Sequence, residues 1–168
     1  MTSAISPARS PAEIAAAKRL VWEFFDILRD RYPEMLDTID TYVQDQDVAG
    51  QLDDFAANFL PPAGECFLAR HNDEYVGLVM LKPHGDGDGE MNRMYVNAAA
   101  RGLGLGRQLG AALIEQSRAL GHHTLWLDAL HRHVEALPLY ESLGFELYTD
   151  PAAIFADDER VIHMKMVL

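Results

Sequence analysis

Between Ser10 and Leu28, apolar side chains recur at Ile14, Ala17, Val21, Phe24 and Leu28, the spacing of one helix face. The start of that helix is also written in the chain: Ser10 can cap it, Pro11 suits its first turn, and Glu13 completes a capping box. Pro33 limits its far end. Val48, Leu52, Phe55 and Phe59 predict a second, shorter helix stopped by Pro61-Pro62. The period then changes. Cys66 to Arg70 and Tyr75 to Lys82 flank Asn72-Asp73 and predict a hairpin. His84 to Gly89 reads as a flexible connection, and Met91 to Val96 as a strand. Leu105, Leu109, Leu113 and Leu120 share a helix face closed by Gly121. Thr124 to Leu127 predicts a strand, Glu135 to Leu143 a short helix ended by Gly144, and Phe145 to Tyr148 and Val161 to Val167 the last strands. Met1 to Ile5 lacks a strand pattern.

Helices first, then strands alternating with helices, predict a mixed α/β (α+β) fold in which helices flank a mixed, mostly antiparallel sheet. With 168 residues, 49% of them apolar, the chain fits one domain, 1–168, with a helical segment over 1–62 and the sheet over 63–168. No apolar stretch approaches the ~20 residues of a membrane-spanning helix. The first residues carry no basic-then-apolar leader pattern, so the expected compartment is the cytoplasm. The single cysteine, Cys66, excludes an intrachain disulfide and reads as a small core residue.

Formal net charge is −12, which argues against binding to nucleic acid or an anionic membrane. The charge is uneven: residues 1–90 hold 17 acidic and 7 basic side chains, residues 91–168 hold 9 and 7. The first half can face a cation, while the second tolerates an anion.

The candidate anion site is Arg101-Gly102-Leu103-Gly104-Leu105-Gly106, after a predicted strand and at the start of a predicted helix. Unpaired N–H groups and a partial positive charge at a helix N-terminus can hold a phosphate, and glycines let the backbone approach it. Arg101 and Arg107 add charge. A P-loop would need Lys-Ser/Thr where Arg107-Gln108 stand. A dinucleotide fingerprint would need glycine at Arg107 or at Leu109. A third pattern, Arg/Gln-x-x-Gly-x-Gly/Ala, is met by Arg101, Gly104 and Gly106.

With that loop the chain resembles the GNAT superfamily of N-acetyltransferases. The likeness extends to Ala136-Leu137-Pro138-Leu139-Tyr140-Glu141-Ser142-Leu143-Gly144-Phe145, to the strand Glu90 to Val96, and to Leu127-Asp128. It covers roughly residues 75–168, with 1–62 matching only as helices placed before the sheet, on the acceptor side. The resemblance implies acetyl-CoA as cosubstrate, gripped through its pyrophosphate by Arg101, Gly102, Leu103, Gly104, Leu105, Gly106 and Arg107. It implies that the backbone of Met94, Tyr95 and Val96 holds the pantetheine arm and polarises the thioester carbonyl. His133 stands where the family often has an asparagine touching the cofactor. Pro138 is tolerable if its missing N–H falls in the helix's first turn.

For catalysis the resemblance implies Tyr140 as the acid that protonates the leaving thiolate. In a bare sequence Tyr140 would read as an aromatic core residue. Glu90, beside the acceptor, is the candidate base, acting directly or through water, and could equally be a solvated strand-end glutamate. Asp128 ends a strand near the cofactor and could orient a neighbour. His122-His123 and His131-x-His133 lack helical i, i+4 spacing, so no metal is expected.

The expected reaction is transfer of acetyl from acetyl-CoA to a primary amine of a small molecule or peptide, by a monomer or homodimer. A non-catalytic acyl-CoA-binding module is the alternative. Nine carboxylates between Asp26 and Asp54, against Arg29 and Arg31, point to a cationic acceptor. The same acidity disfavours an acetyltransferase acting on aminoacyl-tRNA.

Overall fold

The computed structural model describes residues 2–130, 136–147 and 161–168. Its strands form one sheet in the order β1-β2-β3-β4-β5-β7-β6. They are β1 (Ser3–Pro7), β2 (Glu65–His71), β3 (Glu74–His84), β4 (Asp88–Val96), β5 (Thr124–Leu130), β6 (Glu146–Leu147) and β7 (Val161–Val167). Neighbours are antiparallel except β4 and β5, which run parallel.

Alternation along the central strands builds two cores. Cys66, Leu68, Leu78 and Met80 face one side, with α1 (Pro11–Arg31), α2 (Leu36–Asp45), α3 (Val48–Asp53) and α4 (Phe55–Phe59). Val79, Leu81, Leu125 and Met164 face the other, with α5 (Leu105–Ala119) and α6 (Leu137–Leu143). Cys66 is fully buried, and burial pushes its thiol pKa up.

The first helix starts as its sequence dictates. Ser10 Oγ accepts from Glu13 N at 3.2 Å, and Glu13 Oε1 accepts from Ser10 N at 2.8 Å. Asn72 and Asp73 turn the β2–β3 hairpin with φ of 50° and 67°, the left-handed region in which short polar side chains are tolerated. Pro138 is in the first turn of α6, where its missing N–H costs no helical bond.

The structure departs from the sequence expectations in five places. Residues 3–7 are a strand: β1 pairs with β2 from Ser3↔His71 to Pro7↔Phe67. An edge strand pairs by backbone and needs no buried face, so exposed Ser3 and Ala4 gave no alternation. The predicted helix over 48–59 is two, α3 and α4, broken at Asp54 (φ −106°, ψ 54°). An additional helix, α2, precedes them, although Leu36, Ile39 and Val43 already stood at helical spacing. The connection expected over His84 to Gly89 is a tight hairpin turn, because β3 reaches His84 and β4 begins at Asp88. Phe145 lies outside β6, and Glu135 and Tyr148, expected to bound an element each, fall outside the described residues. No helix among the described residues is long and apolar enough to cross a membrane.

Candidate active site

The site begins where two parallel strands part. Asp88 fastens the closed end: its carboxylate accepts from Thr124 N at 3.1 Å and from Trp126 Nε1 at 3.0 Å. Gly89↔Leu125 and Glu90↔Trp126 are the pairs that follow. Beyond Glu90 the strands separate, although β4 runs on to Val96 and β5 to Leu130. A bulge helps to turn β4 away: Leu78 pairs with Tyr95 but Met80 pairs with Asn92, and Arg93 between them has φ of +54°. An extra residue at a bulge breaks the ladder and re-aims the backbone, and a non-glycine residue at positive φ marks a site under constraint.

One cleft opens between β4 and the start of α5, with at most about 970 Å³ of space. Of the predicted cofactor residues, Met94, Tyr95 and Val96 line it from β4. Arg101, Gly102, Gly104, Leu105, Gly106 and Arg107 line it from the loop and α5. Leu103 does not line it and is exposed, and His133 lies outside the described residues. Gly104 is the N-cap of α5 at φ +76°, and Gly102 holds φ +81°. A Cβ on Gly102 would meet nothing within 4 Å, so the glycines are needed for conformation while the approach to the helix N-terminus stays open. No acidic side chain stands in the first turn of α5 to occupy its free N–H groups. Arg107 donates to Ser142 Oγ at 2.7 Å, and Arg101 Nε to Val96 O at 3.3 Å, so both cations border the loop. A pyrophosphate fits this donor set.

Tyr140 is reached from this cleft because α6 packs closely on α5. Leu143 and Leu139 press against the bare backbone at Gly110 and Gly106, where a Cβ would stand 2.5 Å and 3.3 Å from them. Tyr140 is buried with its ring edge against Phe145 at 6.2 Å, and burial raises its pKa to about 12. It stays protonated at neutral pH and can donate.

A second cleft, of at most about 810 Å³, lies on the opposite side of the bend. Phe24, Phe25 and Leu28 from α1 and Ile39 and Tyr42 from α2 form an apolar wall. Asn92 and Arg93 line it from β4, and Asp128 from β5. Among the described residues, only Met94 and Tyr140 border both clefts. Burial raises the Tyr42 pKa to about 12, although the Arg93 charge pulls the other way. Arg93 is 5% exposed, donates to Gln51 Oε1 at 3.1 Å, and lies over the rings of Phe25 and Phe59 at 6.0 and 5.7 Å. Asp128 Oδ1 is 2.6 Å from Nδ1 of His163, its partner across β5 and β7.

Glu90 is at the point of separation but lines neither cleft. It is ion-paired at 3.2 Å with Lys82, its cross-strand neighbour. The nine carboxylates from Asp26 to Asp54 are all exposed, none lines either cleft, and Arg29 binds Asp40 and Asp26 at 3.0 and 3.3 Å. Sequence reasoning missed Tyr42, Ile39, Asn92 and Arg93 as site residues. Helical spacing could have placed the first two, whereas nothing local marks the bulge. No cluster of three or more His, Cys, Asp or Glu that could hold a metal ion occurs among the described residues.

Residues 17–145 match the profile of a family described as the acetyltransferase (GNAT) family. An uncharacterized N-acetyltransferase of Schizosaccharomyces pombe is 37% identical over 110 residues, which are 63% of this chain and 66% of the yeast protein. Mycothiol acetyltransferase of Thermomonospora curvata is 38% identical over 93 residues, 55% of this chain and 31% of that protein. N-acetylaspartate synthetase of Danio rerio is 32% identical over 116 residues, 64% and 41%. The matches thus span 31% to 66% of the length of these relatives. Among solved structures, a Klebsiella pneumoniae protein assigned as an acyl-CoA N-acyltransferase superposes with a TM-score of 0.70 at 25% identity, over 99% of this chain and 98% of that one. A Bacillus subtilis acetyltransferase in complex with CoA gives 0.59 at 18% identity over 99% of both chains, which is a likeness of fold.

Proposed function

Because the chain belongs to the acetyltransferase (GNAT) family, we propose that it moves an acetyl group from acetyl-CoA to a primary amine by direct attack. The observation that carries this reading is the pair of clefts meeting at the bend of β4, with Met94 and Tyr140 common to both. A thioester in one cleft and an amine in the other would meet there, which is what an in-line transfer requires. The Bacillus subtilis neighbour was crystallised with CoA, which supports the same cosubstrate here. The relatives' names give different acceptors, so the acceptor does not carry over from them.

In this reading the free N–H groups at Gly104 to Arg107 bind the pyrophosphate and the Met94–Val96 backbone orients the thioester. The neutral amine nitrogen bonds to the carbonyl carbon, the C–S bond breaks, the sulfur takes the Tyr140 proton, and the proton that the nitrogen sheds replaces it on Tyr140 through water. For an amine of ordinary pKa near 10.4, neutralisation at pH 7 costs about 4–5 kcal/mol, so a proton acceptor at the acceptor cleft is needed. We assign that role to Asp128, held by His163, because it lines the cleft. Glu90, the sequence-based choice, is committed to Lys82 and supports the site through its charge, which reaches Tyr42 and Arg93.

The test is a thermal-shift titration with acetyl-CoA, followed by a screen of amines for release of CoA thiol. The reading expects both a raised Tm and thiol release. A raised Tm with no release for any amine would favour a binding module, and no shift at all would remove the cosubstrate.

A further inference from the structure

Arg93 is the least expected residue in the acceptor cleft. It is a buried cation, and its Nε and Nη1 atoms have no hydrogen-bond partner among the described residues. Beside it, Asn92 is 5% exposed and its Nδ2 also lacks a partner. No carboxylate among the described residues forms an ion pair with Arg93, and its hydrogen bond goes to the neutral amide of Gln51. Glu90, the nearest candidate along the strand, is held by Lys82.

Buried polar groups are hydrogen-bonded as a rule, and a buried charge is paired. Burial pushes the Arg93 pKa down, but a guanidinium keeps its proton in any accessible pH range. Three unmet donors on neighbouring residues, two of them on a fixed cation, describe an anion's half of a binding site. The planar guanidinium selects a flat, bidentate anion such as a carboxylate. Phe24, Phe25, Leu28 and Ile39 supply the apolar wall for the rest of the ligand, and Asp128 stands on the other strand to receive the amine end. The nine exposed carboxylates of 26–54 do not enter this cleft, so the acidity of the first half does not set what binds inside it.

We propose that the acceptor is an amino acid with an apolar side chain, its carboxylate bound by Arg93 and Asn92 and its amine turned toward Asp128. This rests on the acetyl-transfer reading for the fate of the amine, but the carboxylate preference can be measured without turnover.

The experiment compares three matched ligands, L-leucine, L-leucinamide and 3-methylbutylamine, with a parallel set built on phenylalanine and with putrescine as a dication. Each is titrated into CoA-loaded wild-type protein by calorimetry and assayed with acetyl-CoA for thiol release. The free acids are expected to bind, and to be acetylated, at least about tenfold better than their amides. In Arg93→Gln that ratio should fall toward one while acetyl-CoA affinity stays as in wild type. Should the glutamine variant fail to fold, Asn92→Ala carries the same comparison with a smaller fall. A wild type that binds amide, plain amine or putrescine as well as the acids overturns the proposal, as does a folded Arg93→Gln that keeps the preference. Acids that bind selectively without any turnover uphold it and sink the acetyl-transfer reading instead.

Discussion

The two clefts that meet at the bend of β4 are built from different materials. The cleft proposed for the cofactor is made mainly of backbone within one short stretch, from Arg101 to Arg107, with glycines at positive φ exposing a helix N-terminus. The cleft proposed for the acceptor is made of side chains brought from α1, α2, β4, β5 and α6, over positions as distant as Phe24 and Tyr140. A backbone site can tolerate wide side-chain change as long as glycine stays where φ is positive. A side-chain site can be retuned by single substitutions without touching the cofactor. That separation lets one acetyl donor serve many acceptors on one scaffold.

If this contrast holds, variants should split into those that damage one cleft and those that damage both. The largest effect is expected for Asp128→Asn, which removes the proposed proton acceptor. We expect kcat/KM to fall about 100- to 1000-fold with acetyl-CoA affinity unchanged, as measured by steady-state kinetics and calorimetry. A variant that retains wild-type turnover would return the base role to Glu90.

Gly104→Asp belongs to the other cleft. It places a side chain at φ +76° and a carboxylate at the helix N-terminus, where an incoming phosphate should bind. Acetyl-CoA affinity should weaken about 100-fold through lost and repulsive electrostatics, while the amino-acid preference of the acceptor cleft persists. Equal acetyl-CoA affinity in variant and wild type would remove the loop from the cofactor site.

Tyr140→Phe touches the shared wall. We expect kcat to fall about tenfold with little change in the affinity of either substrate, since the proposed proton donor is lost but the ring remains. The same tyrosine gives a stability signature. Tyr140 and Tyr42 both have folded pKa values raised from 10.0 to about 12, so the folded state holds their protons more tightly than the unfolded chain. Their contribution is therefore fully present below pH 10 and is lost as pH rises from 10 toward 12. Urea titrations at pH 9, 10 and 11 should show this loss, at roughly 1 kcal/mol per pH unit for each tyrosine. Tyr140→Phe should lessen it, and an unchanged alkaline slope would mean that the hydroxyl is solvated.

The smallest effect is expected from Glu90→Gln, about two- to fivefold in kcat/KM, because it removes a charge near the site and leaves Lys82 without its partner. A loss as large as that of Asp128→Asn would show that the proton leaves through Glu90.

What the sequence determined by itself is whatever depends on neighbours along the chain. The capping box of Ser10 and Glu13, the Asn72-Asp73 turn, the helix from Leu105 and the glycine loop before it are local patterns, and each is present where the pattern placed it. The cleft we propose for the cofactor was legible as a place in the chain for the same reason, since the backbone groups that line it stand at one helix start. What only the tertiary structure decided is the result of long-range pairing. Residues 3–7 became a strand because the edge of β2 was free to pair with them. The turn at Gly85 and Gly87 is tight because His84 on β3 pairs with Asp88 on β4, and Asp88 in turn reaches Thr124 and Trp126 on β5. The bulge at Arg93 exists only relative to β3, and it carries a guanidinium into a cleft whose apolar wall comes from α1 and α2. Local periodicity states which face of an element is apolar. It does not state which other element will meet that face, and the acceptor cleft is made entirely of such meetings.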